Sequence, residues 1–215
     1  MKILAFDAAL GGFSAAVDDG SELHVAASDR PDALERGLYR IEALLAQAGL
    51  RLDELDRIAV GLGPGSFTGV RIAVAFAKSL SYGSGVPLVG VSSYDALEPG
   101  DVALPALTVV HGRRGVICAR RRDPGASQAA CGPVAEVLDR LLHGKPATLD
   151  VSGNTEDVIA QIDERGWTVR AHPPRASVAA VAIAQLARVR APSASAHALA
   201  PDYGEAPAVT RPAAS

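Results

Sequence analysis

Aromatic side chains are scarce in this chain, 4% of 215 residues with a single Trp. Five arginines, Arg113, Arg114, Arg120, Arg121 and Arg122, fall in one short region with no aromatic residue among them. Single-stranded RNA is usually gripped by stacking its bases on aromatic rings, so this pattern does not make a stand-alone RNA reader. Positive charge is not in excess either. A net charge of −3 and an isoelectric point near 5.9 argue against strong independent binding to nucleic acid. Within a complex the same arginines could still contribute to an RNA-facing surface.

Metal and nucleophile chemistry is equally thin. The two cysteines, Cys118 and Cys131, have neither CxxC nor zinc spacing, the pattern of an ordinary reduced intracellular protein, with one disulfide between them left open. His24, His111, His143, His172 and His197 form no HxxxH or HExxH pair, and no GxSxG elbow surrounds Ser66. No catalytic residue and no metal site is therefore expected. No apolar run is long enough to span a bilayer, and MKILAFD reaches an Asp after a short apolar run, unlike a signal peptide. A soluble, cytoplasmic protein is expected.

What the chain does have is RIAVGLGPGSFTGVRIAVAFAKSLSY, residues 57–82. It reads as a buried strand over Ile58–Leu62, a turn through Gly63, Pro64, Gly65, Ser66, Phe67, Thr68 and Gly69, and a helix from Gly69 to Tyr82. A glycine turn feeding a helix lets another surface approach the backbone, and it leaves N–H groups that suit an anion. It is neither a P-loop, which needs a Lys after the last glycine, nor the GxGxxG fingerprint. Ser66 reads as a helix cap or turn residue. On the helix, Ile72, Ala73, Phe76 and Leu80 predict the core stripe. A second strip of Val70, Val74, Ala77 and Ser81, flanked by Arg71 and Lys78, means either burial on both sides or a docking face for another chain, and the basic flanks favour the docking face. On that reading Val74→Glu abolishes association and leaves the fold intact.

The first hundred residues predict βββαβαβ: strands over 2–7, 13–17 and 23–27, then a helix capped by Asp32 with Glu35 as the third member of a capping box. Leu34, Leu38, Ile41, Leu45 and Ala48 mark that helix's core face, and Gly49 ends it. Near Gly100 the pattern restarts with strands over 104–110 and 115–122 around the turn His111-Gly112-Arg113-Arg114. A helix opened by Pro133 follows, then a strand over 148–151, a turn at Gly153 and a helix over 155–165. A strand over 167–170 and a helix over 177–190 close the half. Strand, glycine turn and helix thus occur twice, at Gly63 and Gly153, an architectural repeat. Two lobes of residues 1–98 and 99–190 are expected, with a Pro/Ala-rich tail over 191–215 in which Tyr203 is the expected anchor.

Asp7 ends the first strand before a turn, the position of the first phosphate-contacting loop in the actin, sugar-kinase and Hsp70-like ATPases. Small hydroxyl or glycine residues follow that Asp there, whereas Ala8, Ala9 and Leu10 follow it here. Asp7 thus reads as a degenerate nucleotide loop, and a solvated or turn-capping Asp is favoured.

The run from Ala59 to Ile72, with GPGSFTG at its centre, closely resembles the signature of the TsaB (YeaZ) family of tRNA threonylcarbamoyladenosine biosynthesis. ILAFD, VPLVGVSS at residues 86–93 and His111-Gly112-Arg113-Arg114-Gly115, a variant of that family's DARRG turn, agree with it. The resemblance is strong over the first half and weaker over most of the rest. It implies an α/β fold of two actin/Hsp70/sugar-kinase-like lobes, each a mixed sheet with helices, the second degenerate. It also implies a non-catalytic subunit that binds a TsaD-type catalytic subunit through first-lobe helices, joined by a TsaE-type ATPase and reaching tRNA through the complex. No intrinsic cofactor is implied, with ATP or ADP only at a complex interface, and self-association of the lone chain stays open. The family's DTS is Asp7-Ala8-Ala9 here, and its His-Ser-Glu-Arg helix start is Ala33-Leu34-Glu35-Arg36. Glu35, Arg36, Tyr39 and Glu42 remain as exposed docking positions. The rival readings are an independent ATPase or small-molecule kinase of the same superfamily and, least favoured, a stand-alone RNA-binding module.

Overall fold

The computed structural model describes residues 1–30, 32–156, 158–176 and 178–204. The first lobe runs β1 (Ile3–Asp7), β2 (Phe13–Asp18), β3 (Leu23–Ser28), α1 (Ala33–Gln47), β4 (Arg57–Gly61), α2 (Phe67–Ser84), β5 (Leu88–Val91) and α3 (Ser93–Leu97). The second runs β6 (Ala106–His111), β7 (Val116–Asp123), β8 (Ala126–Pro133), α4 (Val134–Leu141), β9 (Thr148–Gly153), α5 (Ile159–Asp163) and β10 (Thr168–Ala171). α6 (Ala179–Ala187) follows. The sheets are ordered β3-β2-β1-β4-β5 and β8-β7-β6-β9-β10. Each lobe is therefore an antiparallel three-strand meander extended by two parallel strands, the same topology built twice.

The expected repeat is present, but its second copy contains a strand the sequence hid. β8, ASQAACGP, is an edge strand whose first four residues are exposed. Ala, Ser, Gln and Gly there have little β preference, so nothing in the local pattern announces a strand. The helix expected over 155–165 shortens to α5, and Asp157 of that stretch lies outside the described residues.

Alternation along β1 separates two cores. Leu4 and Phe6 face one side with Phe13, Ile41, Leu44, Ile58, Val60, Ala73 and Ala77. Ile3 and Ala5 face the other with Ala59, Val89, Val91, Ile183 and Ala187. So α1 and α2 cover one face of the first sheet, and α6 crosses back to cover the opposite face. The lobe expected over 99–190 thus gives up its last helix to the first lobe. The reason is packing: α6 is apolar nearly all round, and both faces of the first sheet need cover. Arg57 Nη1 secures the return by donating to the Ala187 and Arg190 carbonyls, and Arg188 pairs with Asp18.

Two helix faces differ from the sequence reading. On α2 the strip expected to dock a partner is not free: Val70, Val74, Ala77 and Ser81 are all buried. Val70 and Val74 pack with Ala9 and Leu62, while Ala73 of the expected core stripe is fully buried beside Ala77 and Ile72, Phe76 and Leu80 are half-buried against that same core. On α1, Ala33, Gly37, Ile41 and Leu44 face inward, whereas Leu34 and Leu38 point out. A Cβ on Gly37 would stand 3.1 Å from both the Phe13 and Phe76 rings, so glycine there lets the helix settle on its small side. Asp32 is the helix cap by position only. Its carboxylate is drawn away by two 2.8 Å hydrogen bonds from Arg40, which hold it below the usual carboxylate range.

Val74→Glu consequently tests folding rather than docking. Placing an unpaired carboxylate in the buried contact of α2 with Ala9 and Leu62 lowers stability by about 3–5 kcal/mol. Urea unfolding reads this directly, and an unchanged midpoint would contradict the packing described.

Candidate functional site

The signature loop is held by its own chain on three sides. From the β1–β2 turn, the Ala9 carbonyl accepts from Ser66 N–H at 2.8 Å. A Cβ on Gly65 would overlap that carbonyl oxygen, and one on Gly69 would overlap the Ala8 oxygen. From α3, Ser93 N–H donates to the Gly63 carbonyl at 2.7 Å. From the tail, Asp202 N–H donates to the Leu62 carbonyl at 2.7 Å, and the Asp202 oxygen sits where a Cβ on Gly63 would be. Gly63 and Gly65 have φ of 90° and 154°, which only glycine adopts without strain. The peptide between Gly63 and Pro64 is cis.

The start of α2 is satisfied locally. Ser66 Oγ accepts from Gly69 N–H at 3.2 Å, the expected cap, and Val70 N–H bonds the Ser66 carbonyl. A helix N-terminus carries partial positive charge and attracts oxygen. Here the oxygens packed against it are main-chain carbonyls of Ala8 and Ala9.

Asp7 is buried rather than solvated. Its Oδ2 accepts from Ala9 N–H and Leu10 N–H, each at 2.9 Å, which closes the turn after β1. Its Oδ1 presses against Gly61, where a side chain would overlap it, and among the described residues no donor reaches that oxygen. Burial pushes its pKa up to about 6, against the opposing pull of the Leu10 and Ala9 hydrogen bonds. Leu10 packs into a cluster between the lobes with Tyr94, Leu97, Val110, Cys118 and Cys131. Around this plug, Asp95 pairs with Arg120 at 2.6 Å and Arg190 at 2.7 Å. Glu98 pairs with Arg122 at 2.6 Å and accepts from Thr108 Oγ1 at 2.9 Å. These residues do not fit the nucleotide and metal that the actin-like fold would suggest. One carboxylate oxygen is capped by the turn, the turn supplies alanines, and Leu10 packs with Tyr94 and Val110 beside it. Among the described residues no group of three or more His, Cys, Asp or Glu could hold a metal ion.

The arginine group also resolves. Arg120 and Arg122 belong to the inter-lobe pairs, and Arg121 is buried over Trp167, donating to the Leu141 and His143 carbonyls. Arg113 and Arg114 lie on an exposed turn.

The outer surfaces of α1 and α2 expose five large apolar side chains. Exposure is 63% for Leu34, 46% for Leu38, 69% for Tyr39, 58% for Phe67 and 84% for Tyr82. Glu35, Arg36, Glu42 and Arg71 are exposed among them. Lys78 is half-buried and lines a shallow groove with Ser79, Tyr82, Ala196 and His197. Leu34, Leu38 and Tyr82 escaped the sequence reading. The signal for the first two was present in Ala33 and Gly37, a small pair four residues apart that marks the close-packed side of α1.

Fold and site together define a two-lobe actin-like α/β protein with an apolar cluster of Leu10, Tyr94, Val110 and Cys118 between the lobes. A solved structure titled YeaZ from Pseudomonas aeruginosa superposes with a TM-score of 0.68 over 94% of this chain and 99% of that one, at 22% identity. The family model described as TsaD: tRNA N6-adenosine threonylcarbamoyltransferase matches residues 34–195. The chain belongs to that family. Two proteins named tRNA threonylcarbamoyladenosine biosynthesis protein TsaB are similar to it. The one from Escherichia coli (strain K12) is 36% identical over 102 residues, 46% of this chain and 44% of that protein. The one from Haemophilus influenzae is 34% identical over 98 residues, 45% of this chain and 42% of that protein. The match thus spans under half the length of either relative.

The buried Asp7 makes a pH prediction. A carboxyl whose folded pKa exceeds its unfolded value binds its proton more tightly in the fold. That stabilisation is complete below about 3.8 and is lost as pH rises through about 6. Asp7→Asn keeps an acceptor for both turn N–H groups and removes the charge. Relative to the Asn variant, the wild type should lose about 2–3 kcal/mol between about pH 4 and pH 7.5. Urea unfolding at both pH values checks this, and a pH-independent difference would contradict it.

Proposed function

We propose that this chain is a non-catalytic, cytoplasmic subunit of the complex that forms N6-threonylcarbamoyladenosine in tRNA. It binds and activates a TsaD-type catalytic subunit. The observation that carries the reading is the set of large apolar side chains on the outer surfaces of α1 and α2, with Leu34, Leu38, Tyr39, Phe67 and Tyr82 exposed on helices whose other sides are already packed. Exposed aromatic and aliphatic residues rimmed by Glu35, Arg36, Glu42 and Arg71 have the make-up of a protein interface. The earlier strip of Val70, Val74, Ala77 and Ser81 supports that interface from beneath. The capped oxygen of Asp7 and the apolar cluster beside it support a subunit without chemistry of its own. A TsaE-type ATPase and tRNA join through the complex, and ATP or ADP belongs at a complex interface rather than in this chain.

Leu38→Glu and Tyr82→Glu change solvent-facing positions and should leave thermal unfolding unchanged. Each should weaken association with the catalytic subunit by about 2 kcal/mol or more, roughly 30-fold. In cells depleted of this protein, nucleoside mass spectrometry of bulk tRNA should show loss of threonylcarbamoyladenosine, restored by the wild type and poorly by these variants. Undiminished modification on depletion would overturn the function, and full rescue by both variants would overturn the docking face. Magnesium-dependent ATP turnover by the purified chain would instead support the independent ATPase or kinase.

A further inference from the structure

Cys118 on β7 and Cys131 on β8 stand directly opposite each other and form a disulfide. Cys118 is buried in the inter-lobe cluster beside Tyr94 and Val110, while Cys131 is half-buried. The tail lies over them. Gly204, at φ +69°, leaves no room for a methyl group: a Cβ would stand 2.5 Å from each sulfur and 3.1 Å from the Pro64 side chain. The two residues before it hold the signature loop, Asp202 through the Leu62 carbonyl and Tyr203 through a ring contact with Phe67 at 4.9 Å between centroids. Disulfide, tail and loop therefore form one stack in which each layer touches the next.

We propose that Cys118–Cys131 is a redox-controlled latch that seats the tail, and through it the signature loop. Gly204 sits directly over the bonded sulfurs, with no space left for a side chain. Reduction by a dithiol, such as a cellular thiol oxidoreductase, opens the disulfide. The reductant's thiolate attacks the more accessible Cys131 sulfur and Cys118 leaves as a thiolate. The reductant's second thiol then closes its own disulfide and releases Cys131. Two electrons and two protons pass to the protein, and the reductant is oxidised to its disulfide. The separated thiols need more room than the bonded pair, and Gly204 has none to give, so the tail lifts. The coupling is reciprocal: the seated tail covers the disulfide, and a displaced tail exposes it to attack. This inference stands on the isolated chain and does not depend on the partner reading.

The test uses the full chain after treatment with oxidised glutathione. Denaturing alkylation should find no free thiol, and two free thiols would overturn the proposal. Native hydrogen exchange is then compared before and after dithiothreitol. Exchange over residues 62–69 and 199–204 should rise about tenfold on reduction, with the β1 core unchanged. Equal exchange in both states would overturn the latch. The Cys118→Ser/Cys131→Ser variant should show the raised exchange with and without reductant, and retention of oxidised-state protection would count against it. Because that variant can lose its fold, Gly204→Ala supplies a second reading with both cysteines kept. Its disulfide should be reduced about tenfold faster than the wild type's, as expected for a seat the tail no longer covers. An unchanged reduction rate would overturn the coupling.

Discussion

Gly65 and Gly69 meet the Ala9 and Ala8 carbonyls with no space for even a methyl group between them, and much of the molecule follows from that contact. It fixes the β1–β2 turn on the start of α2, and so brings Ala9 onto Val70 and Val74. Because α1 settles on Ala33 and Gly37, Leu34 and Leu38 are left in solvent. Their exposure is therefore a consequence of where the small residues fall. The same contact brings carbonyl oxygens to the positive end of α2, where a phosphate-binding protein would keep that end open.

The second lobe repeats the device in reduced form. Gly153, at φ 90°, ends β9, and a Cβ there would overlap the Val109 carbonyl. Leu10 and Tyr94 from the first lobe meet Val110, Cys118 and Cys131 from the second across the gap, and the pairs of Asp95 and Glu98 with Arg120 and Arg122 surround them. A cleft that opens and closes on a ligand needs a wet, separable boundary. This boundary is apolar at its centre and ionically tied at its rim, which favours one fixed arrangement of the lobes.

The α/β class, the doubled architecture and the family were legible because glycine turns and apolar periods are local signals. The GPGSFTG run was visible for the same reason, as was the cap at Ser66. The core stripe of Ile72, Ala73, Phe76 and Leu80 was legible; what failed was the reading of the second strip as a free docking face. The second strip is covered because the β1–β2 turn and the end of β4 bring Ala9 and Leu62 onto Val70 and Val74, contacts set by residues far away in sequence. β8 was illegible because an exposed edge strand needs no apolar alternation. α6 was placed in the wrong lobe because its own residues carry no record of which sheet lacks cover. The seating of the tail on Leu62 and Phe67 is a long-range contact of the same kind, foreshadowed only by Tyr203.

Calorimetric titration of the purified chain with magnesium ATP tests whether the capped Asp7, the alanines after it and the carbonyls at the start of α2 leave any nucleotide affinity. No saturable heat is expected up to about 1 mM nucleotide. Saturable binding with a dissociation constant near 10 μM, roughly 7 kcal/mol of affinity, would contradict that expectation and return the loop to the nucleotide-binding class.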